Sequence, residues 1–232
     1  MINKIKKELR KKQDKENARN LGRFFKTGKG EYGEGDVFLG IKVPEQRKTA
    51  KEFFKEASFK DLKELLWSEI HEFRLTALII LVEKYKRADT SGKERIFNFY
   101  IGNTKRINNW DLVDLSAPNI VGDYLLDKDR KIIFSLAKSK NIWERRIAVL
   151  ATFAFIREKQ FEESLKLAEI LLNDEHDLIH KAVGWMLREV GKRDKETERA
   201  FLKKFCLEMP RTMLRYAIEK FEPGERKKFL KS

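Results

Sequence analysis

Apolar residues recur along most of this chain at intervals of three and four positions, as at Phe73, Ala77, Ile80 and Leu81. This spacing places apolar side chains on one face of an α-helix, whereas a half-buried strand would alternate apolar and polar positions. The 12 glycines and 4 prolines among 232 residues also provide few of the turns that a β-rich fold requires. The pattern therefore predicts an all-α protein.

One segment, KTGKGEYGEGDVFLGIKVP at residues 26–44, breaks the helical spacing: four glycines precede a short apolar run, and Pro44 ends it. Proline is favoured in the first turn of a helix because the N–H that it lacks would have no partner there. We therefore expect a helix that opens at Pro44. Before it we expect an N-terminal helical and glycine-rich loop region over about 1–44, with the remaining helices over about 45–232.

Four alanines indicate an internal repeat. Ala182 lies 34 residues after Ala148, Ala217 lies 35 residues after Ala182, and Ala77 lies 71 residues before Ala148. The last interval is two steps, and its midpoint falls near Leu112. A period of about 35 residues with a small residue at the point of closest packing is typical of stacked helical hairpins. The sequence predicts a single α-solenoid domain over 1–232, a superhelix whose concave face is the expected binding surface.

Four residues with polar or aromatic side chains lie at or near equivalent places in successive repeats: Trp110, Arg145, Arg146 and Trp185. Equivalent positions of a solenoid project from the same face. We therefore expect three separate helices to bring these side chains onto one surface.

The charge of the chain points to a polyanionic partner. Lys and Arg number 51 against 37 Asp and Glu, a formal net charge of +14. Such a field attracts nucleic acid first and anionic membranes second. A thermostable surface rich in Lys and Glu is the alternative, but it would be closer to charge balance.

Several function classes find no support in the sequence. Cys206 is the single cysteine, which excludes a disulfide framework and a CxxC metal site. His176 and His180 do not form HExxH and have no third ligand nearby, and no phosphate-binding GxxxxGK[ST] loop occurs, so we expect neither a metal nor another cofactor. The start MINKIKKELRKK lacks the apolar core of a signal peptide, and no apolar run reaches membrane-span length. We expect a soluble cytoplasmic protein.

Trp110 and Asp114 are the most suggestive pair for chemistry. They are four residues apart and would share one face of a helix. An aromatic ring beside a carboxylate suits a cationic ligand, since the ring face and the negative charge both attract it. The alternative is that Trp110 belongs to the core and that Asp111 or Asp114 caps a helix.

For two further candidate sites, the sequence allows both a structural role and a role in binding. A single arginine at this place would ordinarily form an ion pair with Glu144 or contact a neighbouring helix. Two adjacent arginines, Arg145 and Arg146, suit a clamp on a phosphate group better. Trp185 follows Gly184, which costs on the order of 1 kcal/mol against alanine inside a helix and allows another helix or a ligand backbone to come close. Core packing of Trp185 is an equal alternative.

Four segments in order, YGEGDVFLGIKVPEQRK, NNWDLVDLSAP, WERRIAVL and HKAVGWMLREVGK, resemble those of the AlkD-type DNA alkylation-repair glycosylases. The resemblance runs from about residue 5 to the C-terminus. It implies stacked HEAT-like helical repeats in a monomer without a cofactor. It also implies excision of positively charged N3- and N7-alkylated purines from double-stranded DNA, by action from the backbone side and without a deep pocket for the base.

The resemblance also implies roles for individual residues. Asp114 corresponds to the catalytic carboxylate, Trp110 and Trp185 to the tryptophans beside the sugar, and Arg146 or Arg145 to the phosphate-binding arginine. We prefer Arg146, because Arg145 occupies the repeat's packing position three residues before an alanine. The other carboxylate of the segment, Asp111, is expected to be structural.

This chemistry needs few groups. An alkylated cationic purine leaves as a neutral base without a general acid, and a carboxylate stabilises the sugar as it gains oxocarbenium character. It can also orient the attacking water. Five lysines of the first helix would add affinity for the duplex: Lys4, Lys6, Lys7, Lys11 and Lys12. Two other hypotheses remain: a non-catalytic nucleic-acid-binding scaffold of the same fold, and a solenoid whose basic surface meets an acidic protein.

Overall fold

The structure is a computed structural model and describes residues 1–231. In that range the chain forms 14 α-helices, two short 3₁₀ turns and a π-helical turn at Pro118–Gly122. The only β-type pairing within these residues is an isolated bridge between Val37 and Ile70. The prediction of an all-α protein is confirmed.

The helices fall into two compact units, which divide between Ser116 and Ala117. The first unit contains α1 (Ile2–Arg10), α2 (Lys15–Phe24), α3 (Val43–Phe53), α4 (Phe59–Leu66), α5 (His71–Tyr85), α6 (Thr90–Ile101) and nearly all of α7 (Trp110–Ala117). The second contains α8 (Lys131–Ala137), α9 (Ile142–Arg157), α10 (Glu162–Ile170), α11 (Asp177–Gly191), α12 (Lys195–Phe205), α13 (Arg211–Ala217) and α14 (Pro223–Lys231). The single domain over 1–232 and its concave face stay predictions.

In the first unit, α5 is the central helix, and α3, α4 and α6 pack against it. The middle of its sequence, LTALIILV at residues 75–82, is buried throughout and apolar except for Thr76, as expected of a helix enclosed by others. The predicted glycine-rich segment is a loop between α2 and α3. Gly40 has a positive φ of 83° there, and a Cβ on it would lie 2.0 Å from the Asp14 carbonyl oxygen. Helix α3 starts at Val43, one residue before the predicted Pro44.

In the second unit, α9 and α11 are the buried helices. Helices α8 and α10 pack against α9, while α12 and α13 pack against α11. Gly184 of α11 is where α13 comes closest, since a Cβ on it would lie 2.3 Å from the Met213 carbonyl oxygen and 2.6 Å from Cβ of Tyr216. Of the two reasons considered for this glycine, the close approach of another helix is the one that the structure shows.

The internal repeat is visible in two matching sets of hydrogen bonds. Arg74 on α5 and Arg145 on α9 stand three residues before the buried Ala77 and Ala148. Each guanidinium donates to the carbonyls five and six residues earlier, at 3.0–3.2 Å. Each also pairs with a loop carboxylate, Arg74 with Asp36 at 2.5 Å and Arg145 with Asp174 at 2.6 Å. The arginine three residues before the repeat alanine therefore makes the same set of contacts in both units.

We expect Gly184→Ala to lower the free energy of unfolding by about 2 kcal/mol or more, because the added methyl group would overlap the α13 backbone. Gly224→Ala is the matched control in the same unit, since it stands in α14 and a Cβ added there would have no neighbour within 4 Å. This control should stabilise the protein slightly or change nothing. Urea denaturation of the three proteins measures the difference, and equal stabilities would contradict the close packing.

Candidate active site

Helix α7 carries the first two predicted site residues. It begins at Trp110, whose backbone N–H donates to the side-chain oxygen of the buried Asn109 at 2.8 Å. Trp110 and Asp114 lie one turn apart and are both half-buried. Burial raises the pKa of Tyr100, and the negative charge of Asp114 adds to this rise. The predicted sharing of one helix by Trp110 and Asp114 is confirmed.

Trp110 is one member of an aromatic cluster. Its indole stacks on Phe25, with ring centroids 5.2 Å apart and planes inclined by 21°. Phe24 meets the indole edge-on at 5.8 Å. Phe38 stacks in turn on Phe25, at 5.1 Å and 17°. The tryptophan is therefore partly packed, as the core alternative expects, and partly open to solvent.

Behind these rings lies a buried chain of ionisable groups. The His71 ring stacks on Phe38 at 4.6 Å. Its Nδ1 lies 3.1 Å from Oδ2 of Asp36, and its Nε2 lies 2.8 Å from Oδ2 of Asp111. Arg74 binds the other oxygen of Asp36 at 2.5 Å. Asp111, the residue expected to be structural, is thus the outer end of an Asp–His–Asp chain.

The charges in this chain depend on one another. Burial alone would lower the pKa of His71, but the Asp111 charge and the hydrogen bonds to Asp111 and Asp36 raise it to about 9. Burial alone would raise the pKa of Asp36, but the hydrogen bond with His71 and the Arg74 charge hold it below its usual range. At neutral pH His71 is therefore a buried imidazolium between two carboxylates.

We expect the first unit to lose stability as pH rises from 6.5 to 9. A histidine pKa raised from 6.5 to about 9 contributes roughly 3 kcal/mol below pH 6.5, and this contribution disappears as pH passes through the folded-state value. Urea denaturation at pH 6 and pH 9 measures the loss. His71→Gln should be less stable than the parent at pH 6 and show a smaller fall. An identical fall in both proteins would contradict the charged His71.

The other predicted site residues lie in the second unit. Arg146 is buried, and its Nη1 donates to the Leu178 carbonyl at 2.6 Å, which ties α9 to the first turn of α11. Arg145 is occupied by its ion pair with Asp174. Trp185 of α11 is half-buried, donates to Glu189 at 3.2 Å and lies 5.9 Å from the Phe153 ring of α9.

The structure therefore brings together two sets: Trp110 with Asp114 on α7, and the arginine pair with Trp185 on the packed helices α9 and α11. The predicted common surface for both sets stays a prediction. Sequence reasoning missed the chain of Asp36, His71 and Arg74. A signal was present, because HEFR places three ionisable residues at the start of an otherwise apolar helix.

Three of the five lysines predicted for the first helix form ion pairs, but Lys11 and Lys12 lie just after α1, which ends at Arg10. Lys6 pairs with Glu64 at 2.8 Å, Lys11 with Glu8 at 2.5 Å, and Lys12 pairs with Glu45 at 3.1 Å. Exposed pairs of this kind are weak and exchange readily for other anions. A polyanion can therefore replace the glutamates as the partner of these lysines at a small cost in free energy.

His176 and His180 lie at the start of α11. The Nδ1 of His176 accepts the Leu178 N–H at 3.1 Å, and the Nε2 of His180 lies against the Asp174 carbonyl. Within residues 1–231 no three His, Cys, Asp or Glu side chains are arranged to hold a metal ion. The two histidines thus contact the helix start and the loop before it.

Comparison with known proteins decides the family. The model of the DNA alkylation repair enzyme family matches residues 5–221. The chain belongs to this family. Its role is accordingly in DNA alkylation repair, and the resemblance drawn from four sequence segments is confirmed. None of the curated proteins matches the chain.

Solved structures show the same fold. One is described as a predicted DNA alkylation repair enzyme from Enterococcus faecalis, with 18% identity, a TM-score of 0.71, and coverage of 91% of this chain and 98% of that chain. Another is AlkD2 from Streptococcus mutans, with 18% identity, a TM-score of 0.57, and coverage of 90% and 99%. These likenesses confirm the helical-repeat architecture of this repair family member. No helix among its described residues is long and apolar enough to cross a membrane.

Proposed function

We propose that the protein is a monofunctional DNA glycosylase that acts in base excision repair. Its substrates are positively charged alkylpurines in duplex DNA, N3-alkyladenine and N7-alkylguanine, and it hydrolyses their N-glycosidic bond. The observation that carries the proposal is the pair Trp110 and Asp114, one turn apart and half-buried on α7 of a DNA alkylation repair family member.

Asp114 is proposed as the catalytic carboxylate. The alkylated purine is already cationic, so the bond to C1′ breaks with the electron pair leaving on the base, and no proton needs to be donated. The sugar then becomes electron-deficient, and a fixed carboxylate lowers the energy of that state. The same carboxylate accepts a hydrogen bond from the water that attacks C1′ and takes up the proton that this water releases as the new C–O bond forms.

Trp110 and Trp185 are proposed to line the sugar, where the faces of their rings attract developing positive charge. For the phosphate contact we keep the preference for Arg146 over Arg145. Both arginines already donate within the protein, Arg145 to Asp174 and two carbonyls and the 5% exposed Arg146 to the Leu178 carbonyl, so a phosphate at either one competes with these contacts. The net charge of +14 supports binding to DNA without sequence preference.

Base release from methylated DNA tests the proposal. Duplex DNA treated with a methylating agent is incubated with the protein. The free bases released into solution are then identified by mass spectrometry. We expect 3-methyladenine and 7-methylguanine, and neither from untreated DNA. A protein that binds methylated DNA tightly and releases no base would be the non-catalytic scaffold instead.

A further inference from the structure

The side chain of Arg106 binds carbonyls at the end of α4. Arg106 is half-buried and lies in the 3₁₀ turn Thr104–Arg106. Its Nη2 donates to the carbonyls of Trp67 at 3.1 Å and Ser68 at 2.9 Å, and its Nε lies 3.4 Å from the carbonyl oxygen of Leu66. The last carbonyls of a helix have no partner within that helix, so these bonds satisfy them. They also fix the guanidinium before any ligand arrives.

The positive charge of Arg106 has no acidic partner among residues 1–231. All its hydrogen bonds in that range go to carbonyls through Nε and Nη2, and Nη1 makes none there. The Ser68 carbonyl also accepts Nη1 of Arg74 at 3.0 Å. Burial lowers the pKa of Arg74, and the charge of Arg106 adds to this lowering. Arg74 is paired with Asp36, whereas the charge of Arg106 is left for an anion from outside.

The indole of Trp67 supports this guanidinium from one side. The centre of the guanidinium lies 5.7 Å from the centre of the ring. The indole N–H donates to Oδ1 of the buried Asn103 at 3.0 Å, which holds the ring in place, yet Trp67 is 53% exposed. An arginine stacked on an aromatic ring is weakly hydrated and keeps its orientation. Binding of an anion then costs less desolvation and less side-chain entropy.

A set of hydrogen bonds connects Arg106 with the start of α7. Arg74, beside Arg106, binds one oxygen of Asp36 at 2.5 Å. Asn109 donates to the other oxygen of Asp36 at 3.1 Å and accepts the N–H of Trp110 at 2.8 Å. Arg106 and Trp110 are therefore held in one hydrogen-bonded part of the first unit.

We propose that Arg106 binds a backbone phosphate of the duplex close to the lesion. The inference rests on the proposed function, which puts the sugar of the lesion beside Trp110. The four residues from Arg106 to Trp110 span at most about 14 Å, and DNA rises about 3.4 Å per nucleotide, so the phosphate lies within about four nucleotides of the lesion. In contrast to Arg145 and Arg146, Arg106 can donate from Nη1 to a phosphate oxygen without giving up an internal contact.

The salt dependence of binding tests this contact. Affinity for an unmodified duplex is measured by fluorescence anisotropy from about 50 to 200 mM salt, where each phosphate contact contributes about 0.9 to the slope of log K against log salt. We expect Arg106→Gln to lower the slope by about 0.9 and the affinity at the lowest salt about fivefold or more. Arg106→Lys loses the same carbonyl contacts but keeps the charge, so it should keep the parent slope.

Arg87→Gln is the matched control. It removes the same charge from an exposed side chain of the first unit. The length of α5 separates it from Arg74, a distance of roughly 20 Å. Its slope should stay within about 0.3 of the parent value. Thermal melting of each variant shows first that it is folded at the assay temperature.

Neutral methylphosphonate linkages locate the phosphate. Those that flank an N7-methylguanine are introduced one at a time in either strand, and a 2′-fluoroarabinose under the lesion keeps its glycosidic bond intact. We expect one linkage within about four nucleotides of the lesion to weaken binding of the parent about fivefold or more, and binding of Arg106→Gln less than about twofold. The scan of the parent needs no variant, so the absence of a sensitive linkage there overturns the inference even if Arg106→Gln fails to fold.

Equal slopes for Arg106→Gln and Arg87→Gln would also overturn it. A slope lowered as much in Arg106→Lys as in Arg106→Gln would do the same, because the residue would then act only by holding α4. Release of 7-methylguanine from the unfluorinated duplex is measured in parallel. A lowered slope without release contradicts the proposed glycosylase activity alone, whereas release with an unchanged slope contradicts the phosphate contact alone.

Discussion

Replacement of Asp114 by asparagine is expected to lower the single-turnover rate of 7-methylguanine release by at least about 100-fold. Asparagine keeps the shape of the side chain and its ability to accept a hydrogen bond from water, but it removes the negative charge. The loss of rate should therefore report the electrostatic stabilisation of the sugar. Binding of the duplex should be unchanged or slightly tighter, since a carboxylate repels phosphate.

Asp127→Asn is the matched control for this experiment. It removes the same charge from an exposed loop residue and should release base at the parent rate. Equal rates for Asp114→Asn and the parent would leave the enzyme class in place but remove Asp114 from the reaction. A comparable loss in Asp127→Asn would show that net charge, and not a particular carboxylate, controls the rate.

The largest loss of stability is expected for Asp36→Ala, about 3–5 kcal/mol in the free energy of unfolding. The side chain of Asp36 is only 3% exposed and is bonded to Arg74, His71 and Asn109 at 2.5–3.1 Å. Its removal leaves the charges of Arg74 and His71 buried with one fewer carboxylate. The penalty for an unpaired buried charge exceeds the value of the ion pair itself.

Urea denaturation at pH 7 measures this loss. Glu52→Ala, an exposed carboxylate on α3 of the same unit, is the control and should change the free energy of unfolding by no more than about 0.5 kcal/mol. A loss below about 1 kcal/mol for Asp36→Ala would mean that Asp36 does not hold the buried Arg74 and His71 side chains as described.

The helices of this protein were predictable because their cause is local. Apolar spacing predicts α5 and α9 wherever they stand in the chain, and Pro44 marks the start of α3 within one residue. The repeat was predictable for a related reason: Ala77 and Ala148 mark tight packing, and small residues at a constant interval can be counted in the sequence.

The buried ionic chain was not predictable, because its cause is tertiary. Asp36 lies 35 residues from His71 and 38 from Arg74, and Asp111 lies 40 residues beyond His71. Only the path of the loop before α3 brings Asp36 to the first turn of α5. In sequence, Asp36 is one more acidic residue among glycines, which usually means a solvated turn.

The contact of Asp111 with His71 in the candidate site was also not predictable from the sequence. Four residues of spacing put Trp110 and Asp114 on one helix, and that prediction is confirmed. Spacing contains no information on what lies across from Asp111, which is His71. The aromatic cluster around Trp110 was missed likewise, since Phe24 and Phe25 read as the end of an ordinary helix until Phe38 and Trp110 come to lie against them.

The central claim is that the protein breaks the glycosidic bond of cationic alkylpurines, and one measurement tests it most directly. A defined duplex with a single N7-methylguanine is incubated with excess protein, and free base and alkali-labile abasic sites are counted. The account predicts 7-methylguanine and abasic sites in equal amounts, with no strand cleavage before alkali. Saturated binding with no free base, on this duplex and on one carrying N3-methyladenine, would contradict it.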